Sequence, residues 1–207
     1  MIELPVYTTA GQEASTVQVD PETLGGRVHK KLLKQAVDMY LANARQGTVQ
    51  TKQRSDVAGS TRKLFAQKHT GNARQGMIRT PTRRGGGRAF GPKPRDFGWQ
   101  MPKKARKLAT RSALLSKLLD GEVKVVESLA LETVKTKQVV ALIGALKLKG
   151  SYLIVSADYN KNLVLSTRNV PKAAVSFAAE LNALDVLRYK WLVIEKAAVE
   201  RLTGAAS

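Results

Sequence analysis

The sequence predicts an α/β fold: an open, mostly parallel sheet with helices on both faces, interrupted by a long basic extended loop. Three observations carry this. Short apolar runs alternate with helix-length stretches through the C-terminal half, the pattern of strands joined by crossover helices. A strand pair and one amphipathic helix precede that alternation. Between the two, positive charge, glycine and proline crowd into a single segment that has no apolar period.

The elements follow in order. IELPVY (Ile2–Tyr7) and STVQV (Ser15–Val19) flank Gly11 and read as a β-hairpin or two strands. From Val28 to Ala44 the residues Leu32, Leu33, Ala36, Val37, Tyr40 and Leu41 recur at helical spacing. After the basic segment, Lys103 to Asp120 reads as a second helix that Gly121 ends. VKVVE (Val123–Glu127) is a strand, and Thr136 is placed to cap a helix running to Lys147. YLIVS (Tyr152–Ser156) is a buried strand. Asn160 to Asn169 is a short helix stopped by Pro171. AAVSF (Ala173–Phe177), a turn at Leu184 to Tyr189, WLVIE (Trp191–Glu195) and a closing helix from Lys196 to Thr203 complete the body.

The charge is uneven. The chain has 207 residues and a formal net charge of +19. From Arg45 to Lys107 there are 17 Lys and Arg against two Asp, with nine of the 16 glycines and the aromatics Phe65, Phe90, Phe97 and Trp99. The predicted organisation is therefore a body from residues 1–44, an extended basic loop from 45–102, and the rest of the body from 103–207. Ordering backbone costs about 1–2 kcal/mol per residue. The loop has too few aliphatic residues to offset this, so alone it is expected to be mostly disordered. As a hairpin with arms of about 25 residues it would reach roughly 80 Å.

Several function classes drop out. With no cysteine there is no disulfide framework, thiol nucleophile or thiolate metal site. MIELPVYTTAGQEAS lacks the basic and apolar regions of a secretory signal, and no apolar run approaches the roughly 18 residues that span a bilayer. A soluble, intracellular protein is expected, with no membrane partner. Gly85-Gly86-Gly87 is not followed by the Lys-Ser/Thr of a phosphate-binding loop, and Pro92, Pro94 and Pro102 block an early helix. The glycines read instead as a close backbone approach to something bulky. Asp158 follows a strand, where α/β folds bind ligands, but reads better as a loop residue or cap. His29 and His69 are too distant to suggest a metal pair. No catalytic constellation stands out, so neither enzyme activity, cofactor nor metal is expected.

The basic segment is the strong signal. Aromatics and glycines interleaved with cations suit stacking on bases and phosphate neutralisation. Ten phosphate contacts would give a salt slope of about −9 on duplex or −7 on single strands. An enzyme with a basic substrate clamp and a general RNA- or DNA-binding chaperone are the rival readings. A long irregular probe suits the crevices of folded RNA better than a regular groove.

The order of body, basic loop and body resembles the family of large-subunit ribosomal protein four, in its bacterial form, over nearly the whole chain. The resemblance rests on ARQGT (Ala44–Thr48), Gln67-Lys68 with Thr70-Gly71 and Ala73-Arg74, GGGRAFGPKPRDF (Gly85–Phe97) and PKKARK (Pro102–Lys107). Weaker echoes are KTK (Lys135–Lys137), TRNVP (Thr167–Pro171) and LDVLRYKWLVIEKAAVE near the C-terminus.

The resemblance implies a structural constituent of the large ribosomal subunit, in the cytoplasm or an organelle, that binds ribosomal RNA and helps assembly. The loop would thread inward to the nascent-peptide exit tunnel. Its tip, Gln67, Lys68, His69, Thr70 and Gly71, would line the tunnel beside ribosomal protein twenty-two of the large subunit and the nascent peptide. The family's usual tip reads Trp-Arg-Gln-Lys-Gly-Thr-Gly-Arg-Ala-Arg. Here Phe65, Ala66, His69 and Asn72 depart from it. The phosphate-neutralising cations expected on the outgoing arm and tip are Arg45, Lys52, Arg54, Arg62, Lys63 and Arg74. On the returning arm they are Arg79, Arg83, Arg84, Arg88, Lys93 and Arg95, and at the second helix Lys103, Lys104, Arg106 and Lys107. Phe90, Phe97 and Trp99 are expected to stack on bases or wedge between RNA helices, and the glycines to admit RNA backbone.

Overall fold

The structure is a computed structural model that describes residues 1–204. The chain forms two compact units. Among the described residues, one comprises 1–41 together with 100–204, and the other comprises Ala42–Trp99.

The first unit is an α/β body. Its strands are β1 (Ile2–Tyr7), β2 (Glu13–Val19), β3 (Val123–Val126), β4 (Tyr152–Ser156), β5 (Ala173–Phe177) and β6 (Trp191–Glu195). They form one sheet in the order β2-β1-β3-β6-β4-β5. β1 and β2 pair antiparallel, whereas every other pairing is parallel. The helices are α1 (Lys30–Asn43), α2 (Lys103–Leu119), α3 (Thr136–Ala145), α4 (Lys161–Thr167), α5 (Ala183–Arg188) and α6 (Lys196–Thr203), with one 3-10 turn at Pro21–Leu24.

Alternation along the strands fills both faces, because successive side chains point to opposite sides. Leu153 and Val155 of β4 and Leu192 and Ile194 of β6 join a core with Leu33, Ala36 and Met39 of α1, Leu114 and Leu115 of α2, Val186 of α5 and Val199 of α6. Ile154 and Val193, between them in sequence, join a second core with Val139, Leu142 and Ile143 of α3 and Leu163 of α4. The continuous run YLIVS is thus buried on both faces, as a central parallel strand requires.

One local expectation is corrected. Thr136 does not cap α3. The N-cap position is Lys135, with no side-chain cap, and the Lys135 N–H donates to the Ser166 hydroxyl. Asp158 is a loop residue after β4, one of its two expected roles. Asn160 caps α4, its side-chain oxygen accepting from the N–H groups of Asn162 and Leu163.

One buried charge ties three elements together. The Lys117 ammonium, near the end of α2, donates to the Glu122 carboxylate just before β3 and to the Lys190 carbonyl just before β6. Lys117 is 7% exposed. An ion pair this dry persists only when hydrogen bonds satisfy it.

Candidate nucleic-acid interface

The unit Ala42–Trp99 has no apolar core. Gly87 alone among its residues is buried. Hydrogen bonds between its two arms organise it. The Arg95 N–H donates to the Gly47 carbonyl, Thr51 N–H to Pro92, Arg88 N–H to Lys52 and Leu64 N–H to Gly76. Lys63 and Met77 form an antiparallel bridge nearer the tip.

Two of the three consecutive glycines make a close approach, but to the chain itself, whereas Gly85 faces open space. A Cβ at Gly86 would overlap the Thr80 carbonyl, and one at Gly87 would overlap the backbone of Gln53 and Arg54 on the opposite arm. The bulky neighbour at these two positions is therefore the insert's own backbone. Arg79 also turns inward. Its Nη1 donates to the carbonyls of Val57 and Ser55 at 2.8 and 3.3 Å, so one of the cations expected to meet phosphate braces the loop.

Both acids of the insert are engaged locally. The Gln53 N–H, then the Ser55 hydroxyl, hold the Asp56 carboxyl below its usual range. Asp96 accepts the Gly98 N–H at 2.7 Å. Among the described residues the ion pairs are Lys117–Glu122 and Arg201–Asp158, so no cation of the insert is in ion-pair contact with a carboxylate. Arg45, Lys52, Arg54, Arg62, Lys63, Arg74, Arg84, Arg88, Lys93 and Arg95 are exposed, and Arg83 is half-buried.

The aromatics divide. Phe90 is fully exposed and Trp99 is 42% exposed. The Trp99 backbone N–H is held by the Asn43 side chain at 2.9 Å. Phe97 is different: the guanidinium carbons of Arg45 and Arg95 lie 3.8 and 4.4 Å from its ring centroid. At the tip, Gln67, Lys68, His69 and Gly71 are exposed and Thr70 is half-buried. His69 has φ of +68°, a left-handed conformation that costs a non-glycine residue about 1–2 kcal/mol.

In the body, Lys103, Lys104, Arg106 and Lys107 are exposed in the first turns of α2. No acidic residue accompanies them there and no side chain caps the helix. Cations at a helix N-terminus oppose the macrodipole, so local helix stability does not explain this cluster. Arg111, one turn beyond Lys107, lines the same open groove of about 540 Å³ with Lys103, Arg106, Lys107 and Arg201. Sequence reading passed over Arg111 because it lies past the basic run; the four-residue spacing from Lys107 was the available signal.

The place where such a sheet would hold a small ligand is an open cleft of about 390 Å³ lined by Ala157, Asp158, Lys161, Glu195 and Arg201. β4 leads to α4 in one helical layer and its neighbour β6 leads to α6 in the other, which makes a switch point at their C-terminal ends. There the Glu195 carboxylate accepts the N–H groups of Ala157 and Leu129 at 2.9 and 3.4 Å. Arg201 forks onto Asp158 at 2.6 and 2.8 Å and donates to the Ala157 carbonyl. The hydrogen bond from Arg201 holds the Asp158 carboxyl below its ordinary range. Glu195, Arg201 and Asp158 thus each have hydrogen-bond partners within the chain. Among the described residues there is no group of three His, Asp or Glu that could hold a metal, and no helix long and apolar enough to cross a membrane.

Comparison with known proteins agrees with the architecture. Residues 17–205 match the model of the Ribosomal protein L4/L1 family. A "Large ribosomal subunit protein uL4" of Symbiobacterium thermophilum is 45% identical over 202 residues, covering 98% of each chain. Proteins of the same name are 44% identical in Desulfatibacillum aliphaticivorans, over 99% of this chain and 98% of that one, and 42% identical in Lachnospira eligens, over 98% of each. The family is one of structural ribosomal proteins, not enzymes. Its match covers α1, the basic insert and strands β3 to β6, and the chain belongs to the Ribosomal protein L4/L1 family.

Proposed function

We propose that the chain is a structural constituent of the large ribosomal subunit that binds large-subunit ribosomal RNA and helps the subunit assemble. The insert from 45–102 is the threading element. Its tip, Gln67 to Gly71, lines the exit tunnel beside ribosomal protein twenty-two and the nascent peptide. The protein works within the ribosome, in the cytoplasm of a bacterium.

One observation carries the reading. The insert has no core, and none of its cations pairs with a carboxylate. A polyanion supplies both the missing neutralisation and the missing packing. RNA phosphates do so with a gain from counterion release, and Phe90 and Trp99 remain partly or wholly free to stack on bases. The relatives are named as large-subunit proteins, which supports ribosomal RNA as the polyanion.

Reversal of charge at Arg83, Arg84 and Arg88 tests the RNA role in reconstituted large subunits. The triple variant is expected to be excluded from mature particles. Incorporation at the wild-type level would count against it. A photoreactive group at Lys68 tests the tip. It is expected to cross-link a stalled nascent peptide, and no cross-link from Lys68, nor from the same group placed at His69, would remove the tunnel assignment.

A further inference from the structure

The root of the insert brings two like charges together. Arg45 and Arg95 both stack on Phe97, at 3.8 and 4.4 Å from its centroid. The two guanidiniums are therefore closer than the Debye length of about 10 Å at 0.1 M salt, and they repel. No carboxylate pairs with either. Asp96, beside them in sequence, is turned to the Gly98 N–H.

The backbone makes this arrangement deliberate. Gly47 has φ of +69°, and a Cβ there would overlap the Arg95 carbonyl. The glycine lets the arms close so that the Arg95 N–H reaches the Gly47 carbonyl at 3.1 Å. That bond brings Arg95 and Phe97 alongside Arg45. The three side chains face an open cleft of about 670 Å³, which Lys93 also lines and no acid does.

We propose that Arg45, Arg95 and Phe97 form a preorganised clamp for one RNA backbone phosphate. This rests on the reading of the chain as an RNA-binding ribosomal protein, and it adds a defined site to it. Guanidinium is weakly hydrated, stacks on aromatic faces and presents a planar fork that matches phosphate. The ring holds both forks before RNA arrives, so less rotamer freedom is lost on binding. Phe97 is thus a positioning residue for two arginines, not a platform for a base.

The test uses the full chain and intact large-subunit ribosomal RNA, with affinity measured across a salt series. If one phosphate is shared, either arginine alone still neutralises it. Arg45→Gln and Arg95→Gln should each weaken binding about tenfold with little change of slope. The double variant should flatten the slope by about 0.7–0.9, the worth of one phosphate. Phe97→Leu keeps every charge and should weaken binding about three- to fivefold at an unchanged slope. Arg45→Lys should behave like Arg45→Gln in affinity, because a point charge does not reproduce the stacked fork.

Either single Gln variant flattening the slope by a full phosphate would mean separate contacts and would overturn the shared clamp. Wild-type binding by Phe97→Leu and Arg45→Lys would overturn the role of stacking. If the variants match wild type while charge reversal at Arg83, Arg84 and Arg88 abolishes binding, the clamp fails and the ribosomal reading survives. If wild-type protein itself does not bind, both fail.

Discussion

Removal of the Glu122 carboxylate should destabilise the body far more than removal of its partner. Lys117 is nearly dry and donates to two acceptors, Glu122 and the Lys190 carbonyl. In Glu122→Ala the ammonium stays buried with one carbonyl, losing a hydrogen bond between charged groups, which is worth about 2 kcal/mol. For a body of this size that lowers Tm by about 4–8 °C. In Lys117→Met the apolar stem is retained and the buried charge disappears. The Glu122 side chain, 24% exposed, is left to water, so the change should be close to neutral. The assay is thermal unfolding followed by far-UV circular dichroism on both variants and the double. The double should resemble Lys117→Met. If Lys117→Met costs as much as Glu122→Ala, the argument from uncompensated burial is wrong.

Other consequences follow from local geometry. Lys147 sits just past α3 with φ of +51°, its N–H and that of Leu148 closing on the carbonyls of Gly144 and Ile143; Lys147→Gly should raise stability by about 1 kcal/mol in denaturant unfolding. Asn160→Ala should cost about 1 kcal/mol in the same assay, since it removes a cap that serves two amides, whereas Thr136→Ala removes none and should cost less. The Asp158 carboxyl is held below its ordinary value of 3.8 by Arg201. The stabilisation is therefore complete above that value and is lost as pH falls through the lower folded value. Asp158→Asn should be less stable than wild type at pH 7, and the gap should close in acid; a gap that persists in acid would contradict the pairing. Gly87→Ala should push the arms apart and speed hydrogen exchange of the Arg88 amide.

The strands were legible because YLIVS, WLVIE and VKVV are short apolar runs with flanking turn residues. Their order was not. β6 inserts between β3 and β4, and that placement depends on which face α5 packs, a non-local choice. The start of α3 differs for a related reason: the Ser166 hydroxyl, 31 residues away in sequence, takes the Lys135 amide. In the insert, composition announced a polyanion partner, yet it did not separate outward from inward groups. Arg79 and Arg84 look alike as letters, but one braces carbonyls of the opposite arm and the other is exposed. Phe90 and Phe97 differ in the same way. GGG signalled close approach correctly; only the coordinates identify Thr80 and Arg54 as the neighbours at Gly86 and Gly87.

The central claim is that body and insert together recognise large-subunit ribosomal RNA. The most direct measurement is equilibrium binding across a salt series, comparing large-subunit ribosomal RNA fragments with length-matched random RNA. It uses the full chain and a version with Thr48–Met101 replaced by a short Gly/Ser link. Both proteins should prefer the ribosomal fragment at physiological salt, with a shallower slope in the shortened one because the insert's phosphate contacts are gone. Equal binding of both RNAs by the full chain at every salt would contradict the claim and leave a general polyanion binder.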